Sequence, residues 1–228
     1  MPDGIEVHTD GIPAPGEHAL ALHVNTTPSG RTAPDYPGEV PPGGGWRITP
    51  SPAYGLAPGW ELAAALPLVR SDAGSWYAAA AKLGLKWLPL RPAEGGTGWF
   101  AGVNNEITLA QERFIEARRA LEVRPILGHR GDKWLFALNP TLGMDLGGGS
   151  RGVVTFYPSA KLARDIGGET AIGFEYFTEL GRLSRFAPRE EQQHTLFFVV
   201  DTRRANFGVG RGLNSASDRW TLKAIFDF

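Results

Sequence analysis

Apolar and polar residues alternate with a period of two along most of the chain, in runs separated by residues that favour turns. Leu20, Leu22 and Val24 fall on even positions, with Ala19, Ala21 and His23 between them. The clearest alternation sets Trp134, Phe136, Leu138, Leu142, Met144 and Leu146 against Asn139, Thr141, Gly143 and Asp145. Such a pattern puts two chemistries on the two faces of a strand, whereas a helix would scatter them. Twelve runs are predicted, at 17–27, 46–55, 60–68, 76–88, 99–109, 118–127, 134–146, 153–162, 170–180, 195–202, 206–213 and 219–228.

The connections alternate as well. They are tight at 57–59, 129–133, 164–168 and 202–205, and longer and polar at 26–45, 110–117 and 181–193; only 89–98 breaks the rule. Bacterial outer-membrane barrels have even strand numbers, short periplasmic turns and longer outer loops. The expected fold is therefore all-β, a closed antiparallel transmembrane β-barrel of about 12 strands, within about 10 to 14. It forms a single domain over 1–228, with 1–14 as an N-terminal periplasmic segment and 26–45 as a long Pro- and Gly-rich extracellular loop. That loop either caps the outer mouth or folds inward as a constriction.

Period two alone also fits a soluble β-barrel that binds a hydrophobic ligand inside. Two features favour the membrane. Trp46, Trp60, Trp87, Trp99, Trp134 and Trp220 lie at or near the ends of runs, where the aromatic girdles of membrane barrels sit. The apolar faces carry almost no charge, while the opposite faces carry Glu61, Lys82, Lys86, Glu106, Arg118, Glu122, Arg124, Asp145, Lys161, Glu175 and Glu179. A lysine or arginine on the lipid face costs roughly 2–4 kcal/mol near the midplane, so the charged face is the lumen. Small residues there, such as Ala19, Ala21, Ala63, Ala65, Ala78, Ala80 and Gly84, leave room for long charged chains. Tyr77 is placed on the outer face with Leu83, Leu85 and Trp87. These charges either line an open, selective pore or pair into a salt-bridged lumen that plugs the barrel.

Composition narrows the function classes. With 23 Lys+Arg against 24 Asp+Glu the formal net charge is −1, which excludes a field that would recruit nucleic acid. There is no cysteine, so disulfides and thiolate metal sites are absent. Gly 30 and Pro 18 supply many turns, while 42% apolar and 11% aromatic residues are too many for disorder. Met1-Pro2-Asp3-Gly4 has neither a basic nor an apolar leader region, so an exported chain has already lost its signal peptide. His18 and His23 fall on opposite faces of one strand and cannot share a metal. No His–Ser arrangement suggests a nucleophile, and Gly43–Gly45 and Gly147–Gly149 lack the Lys-Ser/Thr of a phosphate loop. No enzyme, cofactor or metal is expected.

Trp220, Leu222, Ala224, Phe226 and Phe228 alternate with Thr221, Lys223, Ile225 and Asp227. This resembles the terminal aromatic signal, here Trp220, Leu222, Phe226 and Phe228, by which outer-membrane proteins reach the barrel-assembly machinery. Tyr54-Gly55-Leu56, Trp60-Glu61-Leu62, Leu66-Pro67-Leu68, the segment from Ala81 to Lys86, Gly173-Phe174-Glu175-Tyr176 and Gln192-Gln193-His194 together resemble a further pattern. It is that of the outer-membrane family labelled "MetA-pathway of phenol degradation", over residues 15–228. The resemblance implies an outer-membrane barrel that passes an aromatic or other hydrophobic solute. Its partners would be outer-membrane lipid and lipopolysaccharide, the assembly machinery and a small-molecule solute.

Overall fold

The structure is a computed structural model that describes residues 5–93 and 95–228. Met1-Pro2-Asp3-Gly4, on which the expectation of a removed signal peptide rests, and Glu94 in the connection expected to be short lie outside the described residues. The strands form one antiparallel sheet that closes on itself, as a sheet in hydrocarbon must when no edge can stay unpaired. Twelve wall strands follow one another in chain order. They are β1 (His18–Ser29), β2 (Trp46–Ala57), β3 (60–70), β4 (76–90), β5 (Gly98–Ala110) and β6 (Arg119–Arg130). The other half comprises β7 (134–145), β8 (154–167), β9 (170–182), β10 (Gln193–Thr202), β11 (Ala205–Gly212) and β12 (Trp220–Asp227). Closure falls at β1, where Leu22 stands opposite both Pro50 of β2 and Phe226 of β12. Leu20 and Phe228 exchange main-chain hydrogen bonds and lengthen this seam.

Each predicted run becomes a wall strand, and the departures have local causes. β3, β7 and β8 are interrupted at 66–67, 140–141 and 157–158. Each break contains a proline (Pro67, Pro140, Pro158), which has no N–H to give the ladder. β4 is interrupted at Ala79, which donates to the Pro67 carbonyl (2.8 Å) and accepts from the Gln111 amide (2.9 Å) as an extra residue in the strand. This step exchanges the faces beyond it. Tyr77, expected on the outer face, packs inside with Val69 and Phe114, and Ala78, expected inside, is exposed outside. Arg118, expected on the lumen face of β6, lies before that strand in a left-handed conformation (φ 56°) and is bonded to Glu112 (3.6 Å) at the surface.

Strand ends define two unlike rims. At the short-turn end the connections are 58–59, 131–133, 168–169 and 203–204, with 91–97 the longer exception. At the loop end they span 30–45, 71–75, 111–118, 146–153, 183–192 and 213–219. The outer face is predominantly apolar, with Leu20, Leu83, Ile107, Phe136, Phe174 and Leu222 all exposed. A contiguous belt of this kind has no place in water and marks a lipid contact. At the short-turn rim Trp60 stacks on Trp87 (5.4 Å) and Arg164 lies over Trp134. At the loop rim Arg211 lies over Trp220.

The buried apolar core is inside the barrel. Residues 5–12, expected to remain a periplasmic segment, run up the lumen from the short-turn end to about mid-height. Val7 packs among Leu88, Phe100, Ile126 and Ala137, and Ile5 against Phe197 and Val199. These partners lie on lumen faces of wall strands, so the segment is a plug.

Candidate functional site

The lumen is polar where alternation places it. Lys82 of β4 meets Glu106 of β5 at 2.6 Å, and Lys86 meets Glu61 of β3 at 3.5 Å. Arg124 pairs with Glu122 two residues back on the same face of β6 (2.8 Å), and the Tyr157 hydroxyl donates to that carboxylate (2.9 Å). Across the barrel, Glu175 of β9 accepts from Lys161 (3.0 Å) and from Lys223, and Lys161 also reaches Asp201 (2.8 Å). Asn206 adds a hydrogen bond to Asp201 at 2.6 Å. Buried charges survive only when so matched. Asp145 sits nearer the loop end, where the Ser150 hydroxyl donates to it, and Glu179 is exposed there. Trp220, Leu222, Phe226 and Phe228 occupy the outer face, with Phe226 edge-on to Phe207.

The plug is tied to this wall by its main chain more than by its side chains. Asn139 of β7 accepts from the His8 amide (2.7 Å) and donates to the His8 carbonyl (3.1 Å). Lys223 donates to the Ile5 carbonyl (2.7 Å) and Lys86 to the Gly11 carbonyl (3.0 Å). Asp10 receives Arg130 on two oxygens, the longer contact being 2.7 Å, and Glu6 stands 4.0 Å from His23. At the base, Gly55 lies against the chain at Ala14, and a Cβ there would come within 2.0 Å of the Ala14 carbonyl. Sequence reasoning missed this segment. Its one signal was the short alternation Ile5-Glu6-Val7-His8, which puts two apolar residues on one face.

The loop end is closed differently. Residues 30–45 fold over the mouth as a cap: the Val40 amide donates to the Arg113 carbonyl (2.9 Å), and Val40 packs on Val69, Ala79 and Phe114. Arg31 and Glu39 hold the cap in shape through two hydrogen bonds of 2.7 Å. Hydrogen bonding from Arg31 keeps the Glu39 carboxyl below the usual carboxylate range.

Between plug and wall two cavities remain. One of about 640 Å³ opens at the short-turn end and reaches Lys161, Glu175 and Asp201. The other, about 260 Å³, follows β1–β5 past the plug, from Ala19 and Ala53 up to Thr49, Ala65 and Lys82. Among the described residues no cluster of His, Asp and Glu is arranged to hold a metal.

A closed twelve-stranded antiparallel barrel with an apolar outer belt and a charged lumen has the architecture of an outer-membrane β-barrel. Solved structures share it. A KdgM porin in complex with disordered oligogalacturonate superposes with a TM-score of 0.55 at 10% identity, covering 92% of this chain and 99% of the porin. The COG4313 outer membrane channel from Pseudomonas putida F1 gives 0.55 at 16% identity, covering 96% of this chain and 97% of the channel. The NanC porin gives 0.54 at 8% identity over 92% of this chain and 99% of the porin. No family model and no curated protein matches the sequence.

Proposed function

We propose that the protein lies in the bacterial outer membrane, short-turn end toward the periplasm, and passes a small solute through its lumen. The observation that carries this reading is the lumen itself. It is lined by matched charges, retains two cavities, and is narrowed mainly by residues 5–12 and 30–45, neither of which is a wall strand. A barrel built only to be stable has no use for cavities along its axis. The three solved barrels compared above are porins and a channel, which supports the passage reading. Lipopolysaccharide and the assembly machinery are its partners in this reading.

A second reading, a structural barrel that conducts nothing, is favoured by the density of ion pairs and by the buried plug. Planar bilayers separate the two. The full chain should show small conductance with brief openings, and removal of residues 5–12 should raise it severalfold. A silent barrel with and without the plug would leave the structural reading.

A further inference from the structure

The two sides of the lumen are filled unequally. On β11 the space beside Gly208 and Gly210 is taken up: a Cβ at Gly210 would come within 2.5 Å of the Phe197 ring, and one at Gly208 within 2.8 Å of the Lys223 side chain. Ile5 and Phe177 pack there too. On β1–β4 the inward residues include Ala19, Ala21, Ala53, Ala63, Ala65 and Gly84, and the five alanines are only partly buried. A Cβ at Gly84 would meet no atom closer than 3.6 Å. The narrower cavity runs along this wall and past the plug.

A second, independent feature lies in the same cavity. His23 of β1 and Thr49 of β2 stand directly opposite each other, and both line it. Both are more than nine-tenths buried, and among the described residues the His23 Nδ1 and Thr49 Oγ1 atoms have no hydrogen-bond partner. Buried polar atoms without partners are costly and uncommon. Both atoms are closed to solvent in this conformation, and a side-chain rotation toward the cavity would let a visiting hydroxyl, amine or carboxylate satisfy them.

The charges beside the alanines, on β3 to β6, add the selectivity. Lys82, Lys86 and Arg124 each meet a carboxylate, from Glu106, Glu61 and Glu122. An ion of one sign passing here must break a pair and leave a confined charge unmatched. A solute with no net charge can exchange hydrogen bonds with both members of a pair and leave neither uncompensated.

We infer that solute passes the plug along the β1–β4 wall, and that the cavity there is a subsite for small, net-neutral, hydrogen-bonding solutes, zwitterions included. The inference rests on the channel reading. It is tested on the full chain in liposomes, with glycerol and serine as neutral and zwitterionic probes and sodium lactate as the charged one.

The chain has no cysteine, so single cysteines report cleanly. Ala21→Cys, Ala53→Cys and Ala63→Cys should react with the neutral reagent N-ethylmaleimide and then lose most of their serine swelling. Val199→Cys, on the filled side, should keep it. Thr49→Val should slow serine more than glycerol, and Glu106→Gln should shift the reversal potential in a KCl gradient toward anions. Labelling that leaves serine swelling intact in the three alanine positions, or blocks it at Val199, overturns the path. Swelling in glycerol and lactate but not in serine overturns the solute class while the channel stands. Swelling in none of the three probes removes the channel reading and this inference together.

Discussion

Glu175 shows what a single lumen residue contributes. It is 1% exposed and lies between Lys161 and Lys223. Removing one member of a buried charge cluster typically costs about 3–5 kcal/mol, because the remaining charges lose their match. Glu175→Ala should therefore lower the urea midpoint of the folded barrel far more than Glu61→Ala, whose pair with Lys86 is looser at 3.5 Å. At the mouth the relevant group is Glu39. Its carboxyl titrates below the usual range because Arg31 holds the charged form. Its contribution to the cap is thus complete above the ordinary carboxylate pKa and disappears as pH falls through the depressed value. The Asp35 amide donates to Glu39, so its NMR shift should follow that titration and be flat at neutral pH.

At the scale of elements, β7 gives the sharpest contrast between faces. Leu138 stands opposite Leu127 and Ala160 on the outer face, near the middle of its strand. Leu138→Arg should impair insertion by roughly 2–4 kcal/mol, read as the fraction folded into lipid vesicles. The strands were legible because alternation between hydrocarbon and an aqueous lumen is enforced at every pair of residues, and a slip turns the whole strand inside out. Where that enforcement weakens, the sequence says less. The Ala79 step adds one small residue among neighbours Ala78, Ala80 and Ala81, none of which has a strong preference for either face, so Tyr77 was put on the wrong side. Arg118 fits the alternation of β6, yet its left-handed backbone makes the strand start one residue later. The inner charges Glu61, Lys82, Lys86, Glu106, Glu122, Arg124, Lys161 and Glu175 were legible by face. Their partners in space were not, since pairing depends on register between strands.

For the whole molecule the plug is the feature that alternation could not reach. Residues 5–8 are too short a run to declare a period, and Asn139 has the look of any other polar residue on a lumen face. In the folded protein Asn139 is fully buried and both donates to and accepts from the His8 backbone. Asn139→Ala should loosen the plug at a cost to barrel stability of about 1–3 kcal/mol at most. Its signature would be longer channel openings in bilayers together with a modest fall in the unfolding midpoint.

The order of the plug's attachments also decides how it responds to force. Along the chain from the tether inward they are Gly11 to Lys86, Asp10 to Arg130, His8 to Asn139, Glu6 to His23 and Ile5 to Lys223. The tether leaves at the short-turn end beside Gly55, with the tip deepest. Tension applied to the tether reaches the Gly11 contact first and peels the attachments one at a time. A push from the loop end loads all of them together, in shear. Extended, residues 5–12 are about 26 Å long, so the same piece of chain gives way readily to a pull from one side of the membrane and resists pressure from the other, as a check valve does.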